Sequence, residues 1–226
     1  MAFTLAFLHT SPVLVPLFTQ LAKDKLPGAA SFHMVDESLI KNTITAQKLT
    51  KETIRRMVNM IQSAHEGGAD AVMVTCSSVG AGVTVARQQL NFPIFRVDEA
   101  MAEAAVLMGY RIGVAATLKT TLEPTMNLLE QSAAAAGRRI ELVPSLCDGA
   151  FEAVLLGDTQ RHDELLSAAL ATLKSQVEVV VLAQASMARV AAQMKSNGGS
   201  PILSSPEMAM DRVQGILLSE ANASAV

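Results

Sequence analysis

The chain has 226 residues, of which 50% are hydrophobic and 17% charged, with a formal net charge of −3. This composition excludes intrinsic disorder, and the lack of clustered Lys and Arg argues against a nucleic-acid partner. The two cysteines match neither a disulfide framework nor the paired spacing of a zinc site. We therefore expect a protein of one or two domains in the reducing cytoplasm, which folds without metal ions or disulfide bonds.

The first 22 residues contain no Lys, Arg, Asp or Glu. They lack the positive start of a signal peptide, and Pro12 and Pro16 interrupt any membrane-spanning run. We expect a buried strand followed by a helix, and no membrane partner.

Apolar runs of strand length alternate with amphipathic segments of helix length along the whole chain. The predicted strands are Phe3–Leu8, Ser31–Val35, Ala71–Thr75, Ile94–Val97, Arg111–Ala116, Arg139–Val143, Glu178–Ala183 and Pro201–Leu203. Helices are predicted between them, for example over Thr45–His65 and Thr120–Ala136. Continuous runs of Val, Ile, Leu and Met are typical of strands covered on both sides, so the fold class is α/β with parallel sheets.

The order of these elements repeats within the chain. Leu5–Thr10 aligns with Ile112–Thr117, and Ala71–Ser78 aligns with Val179–Ser186. All doubly wound folds share some of this pattern, but polar residues at equivalent strand ends favour a duplicated domain. We expect two pseudo-symmetric domains, residues 1–97 with 204–226 and residues 98–203, each with a four-stranded parallel sheet. Because ligands bind at the carboxyl ends of parallel strands, the active site is expected in a cleft between the domains.

Cys76 is the main candidate for chemistry, because it ends a buried strand and precedes Ser77, Ser78 and a predicted helix. A thiol near a helix N-terminus is expected to have a lowered pKa, which favours the thiolate of a base or nucleophile. The two serines are suited to capping, and with nearby N–H groups they could hold a carboxylate or an enolate-like charge. The alternative is a small cysteine that fills space at a strand end.

His9 and Thr10 close the first predicted strand. His9 is a candidate acid/base partner of Cys76, because histidine titrates near neutrality; a hydrogen-bonded structural histidine is the alternative. The other histidines are interpreted as structural, one inside a strand and two on helix surfaces, namely His33, His65 and His162. No metal site is predicted.

In the second half, Thr117 and the segment Lys119–Thr121 form the equivalent turn. Their hydroxyls and the helix N-terminus suit a carboxylate, with Lys119 as a counter-charge; an ordinary capped helix start is the alternative. Cys147 follows the next predicted strand and is interpreted as a small structural residue, although a place on the cleft rim as a replacement acid is also open.

Four segments in this order together resemble the aspartate/glutamate/hydantoin racemase superfamily, which also includes maleate isomerases and arylmalonate decarboxylases. They are Cys76–Ser78, Ile94–Met101, Ala116–Thr121 and Val181–Met187. The resemblance covers essentially the whole chain. It implies an enzyme without a cofactor that acts on a small carboxylate, in a family whose members are often homo-oligomers.

The racemases of this family use two cysteines, one from each half. Cys76 matches the first position, whereas the second falls at Gln184, whose amide does not exchange protons usefully at neutral pH. This argues against racemisation by two thiols. Arylmalonate decarboxylases also use a single cysteine, but theirs is in the second half.

The sequence therefore predicts a racemase- or isomerase-like enzyme with a single catalytic cysteine. A decarboxylase and a non-catalytic small-acid-binding protein are the alternatives. The predicted catalytic residues are Cys76 and His9, and the predicted substrate-binding residues are Thr10, Ser77, Ser78, Thr117, Lys119, Thr121, Gln184, Ala185 and Ser186.

Overall fold

A computed structural model of the protein describes residues 3–194 and 199–223. The chain folds into two compact units: residues up to Ala100 join those from Pro206 onward, and Met101–Ser205 form the second unit. Within the described residues, each unit contains one four-stranded, all-parallel sheet. The predicted α/β class is confirmed. The domain bounds expected from the sequence stay a prediction.

The elements alternate between strand and helix along most of the chain. The strands are β1 (Thr4–His9), β2 (Ala30–Val35), β3 (Ala71–Val74), β4 (Ile94–Arg96), β5 (Arg111–Ala116), β6 (Glu141–Leu146), β7 (Val179–Leu182) and β8 (Ile202–Leu203). The helices are α1 (Val15–Lys25), α2 (Glu37–Ala46), α3 (Lys51–Glu66), α4 (Ala81–Gln89), α5 (Glu99–Met108), α6 (Lys119–Ala135), α7 (Ala150–Leu155), α8 (Thr159–Lys174), α9 (Ala188–Met194) and α10 (Ser205–Ala223). Short 3-10 turns occupy Pro12–Leu14, Ser77–Val79 and Ala185–Met187.

The two sheets have the same strand order, β2-β1-β3-β4 in the first and β6-β5-β7-β8 in the second. Leu8 of β1 pairs with Val74 of β3, and Ala115 of β5 pairs with Leu182 of β7. In the internal sequence alignment, Leu8 matches Ala115 and Val74 matches Leu182. The sequence repeat therefore corresponds to a repeat of strand pairing.

Apolar side chains bury both sides of the first sheet. One side packs against α3 and α4, with Met57 and Ile61 fully buried, and the other packs against α1 and α10, with Phe18 and Met210 fully buried. Each buried side chain of this size contributes about 1.5–3 kcal/mol. Helix α10 thus returns the end of the described chain to the first sheet.

The sequence prediction was wrong for one long helix and one strand. Helix α2 ends at Ala46, Gln47 is left-handed with φ 54°, and Thr50 caps α3 by accepting a hydrogen bond from the Thr53 N–H at 3.2 Å. Strand β6 runs three residues further than predicted and includes Pro144. Proline is tolerated there because β6 is an edge strand.

His162 is also placed differently from the prediction. It lies on α8 but is only 5% exposed, and its Nδ1 is 2.9 Å from a carboxylate oxygen of Asp163. Asp163 in turn binds Arg189 of α9 through two hydrogen bonds of 2.6 Å. The histidine is thus part of a connection between two helices rather than a surface residue.

In the part of the chain that the structure describes, no helix combines the length and the apolar character needed to cross a bilayer.

Candidate active site

The first group of candidate residues lies where β1 and β3 end side by side. Leu8 pairs with Val74, and the Thr75 N–H donates to the Leu8 carbonyl at 3.0 Å. This register brings Thr10 next to Cys76. The Thr10 hydroxyl and the N–H groups of Ser78 and Val79 lie within hydrogen-bonding reach of the Cys76 sulfur, and the Val79 N–H also donates to the Cys76 carbonyl at 3.3 Å. Three predicted residues, Thr10, Cys76 and Ser78, are therefore brought into one hydrogen-bonded group.

The pKa of Cys76 is raised, contrary to the lowered value that the sequence predicted. Burial is the largest cause, and the negative charge of Asp98 acts in the same direction. The three hydrogen bonds to sulfur lower the pKa but do not outweigh burial. The element directly after β3 is a three-residue 3-10 turn rather than a long helix, so its dipole is small and does little to lower the pKa of the thiol. At neutral pH the resting group is the thiol.

Ser77 and Ser78 do not act as the predicted helix caps. Both are buried in the 3-10 turn, and neither this turn nor α4 has a side-chain cap. The turn continues into α4 at Gly80, whose backbone is helical. The serines thus belong to the thiol's immediate surroundings rather than to a capping motif.

His9 is completely buried, and both of its ring nitrogens face other polar side chains. Nδ1 lies 2.8 Å from the Thr75 hydroxyl, and Nε2 lies 2.9 Å from Nδ1 of His33. Burial and the neighbouring His33 lower the pKa of His9 to about 4. The ring nitrogens therefore contact Thr75 and His33 rather than the Cys76 thiol, and the predicted acid/base role of His9 stays a prediction.

A buried ion pair lies behind the Cys76 turn. Arg96 donates to both oxygens of Asp98 at 2.6 and 3.0 Å, with the two residues 7% and 0% exposed. Gly80 packs so closely on the guanidinium that a Cβ at this position would lie 2.7 Å from Arg96 Cζ. The sequence analysis used this segment only for the family resemblance and did not predict the ion pair. The pair could have been recognised from Arg96 and Asp98, two opposite charges that stand two residues apart at the end of an apolar strand.

In the second unit, Thr117 and Gln184 occupy the places that Thr10 and Cys76 occupy in the first. Oε1 of Gln184 accepts hydrogen bonds from the Thr117 N–H at 2.7 Å and from the Thr117 hydroxyl at 3.0 Å. Nε2 of Gln184 is a donor to the same hydroxyl oxygen at 2.8 Å. The carbonyl end of the amide is therefore fixed by the backbone N–H. Ala185 is buried and Ser186 is exposed in the following 3-10 turn.

The N-terminus of α6 has no side-chain cap, which rules out an ordinary capped helix start. Thr120 Oγ1 is the one buried side-chain N or O atom without a hydrogen-bond partner among the described residues. Thr121 is also buried. Lys119 points along the helix surface, with Nζ 3.8 Å from Glu123 and both side chains more than half exposed. The first turn of α6 thus offers hydroxyl and N–H groups that suit an anion.

Cys147 is buried, 4% exposed, within the apolar core of the second unit. Burial, together with the nearby Asp148 carboxylate, raises the pKa of its thiol to about 11. These surroundings are typical of an unreactive structural cysteine. Among the described residues, no group of three or more His, Cys, Asp or Glu side chains is arranged to hold a metal ion.

Comparison with protein families gives a match to the model described as Asp/Glu/Hydantoin racemase over residues 9–213. None of the curated protein sequences gives a significant match.

Several solved structures share this fold. A glutamate racemase from Bacillus anthracis is 19% identical with a TM-score of 0.76, and the match covers 96% of this chain and 82% of that one. Allantoin racemase from Klebsiella pneumoniae is 16% identical with a TM-score of 0.73, covering 97% and 89%. Aspartate racemase from Picrophilus torridus is 12% identical with a TM-score of 0.71, covering 95% of both chains. At these identities the likeness establishes the fold.

Proposed function

Because the chain belongs to the Asp/Glu/hydantoin racemase family, we propose that it is a racemase- or isomerase-type enzyme that needs no cofactor and acts on a small carboxylic acid. Its single reactive thiol is Cys76. Both cysteines are free, which fits a reducing, cytoplasmic setting.

The observation that carries this proposal is the set of hydrogen-bond donors around the Cys76 sulfur: the Thr10 hydroxyl, the Ser78 N–H and the Val79 N–H, which it shares with the Cys76 carbonyl. A hydroxyl and two backbone N–H groups stabilise a thiolate when the thiol has given up its proton. In the proposed reaction the thiol first loses its proton to water, and the thiolate removes the proton from the carbon beside the substrate carboxylate. The carbanion is delocalised into an enolate-like form, and the thiol returns the proton after this planar form has turned to present its other side. Atoms and charge balance without a redox partner.

Substrate binding is assigned to polar groups at the strand ends of each unit. In the first unit, Thr10, Ser77 and Ser78 would hydrogen-bond the developing negative charge. In the second unit, the unpartnered hydroxyl of Thr120 and the uncapped start of α6 support carboxylate binding. The proposed set there is Thr117, Lys119, Thr121, Gln184, Ala185 and Ser186. Lys119 would act only as a distant counter-charge, because its amine is largely exposed.

A decarboxylase is the second candidate, and the raised pKa of Cys76 favours it. When CO2 leaves a malonate-like substrate, the carbanion that remains needs one proton donor and no base. A thiol that is protonated at neutral pH supplies that proton directly. In this reaction the C–C bond breaks to give CO2, the thiol proton forms the new C–H bond, and the thiolate that remains takes a proton from water.

The two candidates are separated by incubating the protein in D2O with a panel of small chiral carboxylates and substituted malonates. Deuterium incorporation at the acidic carbon without CO2 supports the isomerase, and CO2 release supports the decarboxylase. Binding without either reaction would make the protein a small-acid binder. Cys76→Ala should lower turnover by about 10²–10⁴-fold, the usual contribution of a general acid or base, whereas Cys147→Ala should match the wild type. Full turnover by Cys76→Ala would refute the mechanism.

A further inference from the structure

A chain of hydrogen bonds in the first unit runs from the partly buried side chains of Thr19 and His33 to the buried side chains of His9 and Thr75, next to the Cys76 turn. The Thr19 hydroxyl of α1 lies 2.9 Å from Nε2 of His33 in β2, and Nδ1 of His33 lies 2.9 Å from Nε2 of His9 in β1. Nδ1 of His9 in turn lies 2.8 Å from the hydroxyl of Thr75, which follows β3. The imidazole rings of His9 and His33 are stacked with centroids 5.1 Å apart, and Phe7 stacks on His33 at the same distance. The rings are therefore held in place by packing as well as by hydrogen bonds.

The protons in this chain can be assigned from its fixed end. The Thr19 hydroxyl donates its one proton to the Val15 carbonyl at 2.8 Å, so it can only accept from His33 Nε2. Nδ1 of a neutral His33 is then an acceptor and takes the proton of His9 Nε2. Nδ1 of a neutral His9 is left as an acceptor for the Thr75 hydroxyl, which lies 2.8 Å from it and 3.1 Å from its other acceptor, the Leu8 carbonyl. The shorter contact assigns the hydroxyl proton to His9, and each ring then has one tautomer.

The last hydrogen bond of this chain joins His9 to Thr75, and each of these residues directly precedes a residue of the proposed site. His9 precedes Thr10, and Thr75 precedes Cys76. The Thr10 hydroxyl is one of the hydrogen-bond donors to the Cys76 sulfur. The bond from Thr75 to His9 thus ties β1 to β3 one residue before the point where Thr10 meets the thiol.

We propose that His9 is a positioning residue: as a neutral acceptor held by His33, it fixes Thr75 and thereby sets the hydrogen bond from Thr10 to the Cys76 sulfur. This inference rests on the proposed function of Cys76. It gives the buried histidine a role that needs no contact with substrate. His33 and Thr19 support that role by fixing the tautomer and orientation of His9.

The test measures Cys76 itself rather than turnover, so it gives an answer even if no substrate is found. In a Cys147→Ala background, the rate of alkylation by iodoacetamide is measured between pH 6 and 10. Thr75→Val removes the hydroxyl and keeps the branched shape, whereas Thr75→Ser keeps the hydroxyl. His9→Gln keeps a group near Nε2 and loses the acceptor for Thr75, whereas His9→Asn keeps an acceptor near Nδ1.

We expect Thr75→Val and His9→Gln to slow alkylation at pH 8 about tenfold, equal to a rise of about one unit in the thiol pKa. Thr75→Ser and His9→Asn should react within about twofold of the parent. On a turned-over substrate, the first pair should lower kcat with little change in KM. Equal alkylation rates for the valine and serine variants would overturn the proposal even if the histidine variants do not fold. Because the Thr75 hydroxyl also lies 3.1 Å from the Leu8 carbonyl, the histidine pair assigns the effect to His9, and equal rates for His9→Gln and His9→Asn would also overturn the proposal.

Discussion

Gln184 is held to Thr117 by a hydrogen bond of 2.7 Å from the Thr117 N–H to the amide oxygen. The amide is therefore oriented with its carbonyl toward the strand end, and the Thr117 hydroxyl binds the same side chain. In the first unit the equivalent threonine binds a thiol instead. The second half thus has the threonine but, where the first half has a thiol, an amide that forms hydrogen bonds and does not carry a proton at neutral pH.

This relationship predicts a gain of function. Gln184→Cys restores the residue type that the family's racemases have at this position, and Thr117 remains available to bind it. We expect racemisation, followed by circular dichroism on a substrate found in the D2O panel, to rise at least about tenfold over wild type. Gln184→Ser is the control, because it has a similar size and no thiol. Equal racemisation by the cysteine and serine variants would contradict a requirement for two thiols.

Cys147 should be nearly inert toward alkylating reagents in the folded protein. With its pKa raised to about 11, roughly one molecule in 10³ has a thiolate at pH 8, compared with about a quarter for an unperturbed cysteine. Iodoacetamide labelling followed by mass spectrometry should therefore show that Cys147 reacts about 10²-fold more slowly than a model peptide. In urea the difference should disappear. Rapid labelling of Cys147 in the native state would argue against its structural role.

Gly80 should not tolerate a side chain. A Cβ there would meet the Arg96 guanidinium carbon at 2.7 Å, and Arg96 is kept from moving by its two hydrogen bonds to Asp98. We expect Gly80→Ala to lower the free energy of unfolding by roughly 2–4 kcal/mol, measured by urea denaturation. Gly215→Ala is the matched control, because Gly215 is exposed in α10 with no atom near its added Cβ. That variant should be about 1 kcal/mol more stable than wild type.

Asp98 should affect both stability and the thiol. Asp98→Asn leaves a buried guanidinium without its counter-charge, which costs about 3–5 kcal/mol in comparable cases. In the molecules that remain folded, loss of a nearby negative charge should lower the pKa of Cys76, since Asp98 raises it in the wild type. Alkylation of Cys76 should then reach its half-maximal rate at a lower pH. A shift to higher pH would show that the turn itself has moved.

His9 should make stability depend on pH between about 4 and 6.5. Its pKa is about 4 in the folded protein and 6.5 in the unfolded chain, so only the unfolded chain binds this proton in that range. Stability should therefore be fully present above pH 6.5 and fall as the pH drops toward 4, by about 3 kcal/mol from this group. His33, whose pKa is also lowered by burial, acts in the same direction. In His9→Asn the decline measured by urea denaturation should be smaller, and an unchanged decline would contradict the assignment.

Much of the fold could be read from the sequence because the inner strands of both sheets are buried. Strands such as β3 and β7 are entirely buried, so their residues are uniformly apolar and stand out from the amphipathic helices. The boundary between α2 and α3 could not be read in the same way. Helical periodicity continues across Gln47, and only its left-handed backbone and the Thr50 cap mark the break.

The candidate site was predictable in position but not in electrostatics. The sequence predicted that Cys76 and Thr10 each follow a strand, and the structure brings them together because β1 and β3 are paired in parallel. It could not reveal that burial outweighs the hydrogen bonds to the sulfur, since that balance depends on side chains distant in sequence, such as Asp98. For the same reason, the pairing of His9 with His33 and Thr75 was not foreseen.

The shared order of the two sheets has a stereochemical consequence. Both copies present a threonine beside the second residue after their third strand, yet only the first copy places a proton-carrying atom there. An intermediate that is planar at the reacting carbon has two sides, and one fixed thiol can add its proton to one of them. If the protein is a decarboxylase that holds the carbanion in one orientation, its product would have a single handedness, whereas racemisation requires proton transfer on both sides of the carbon.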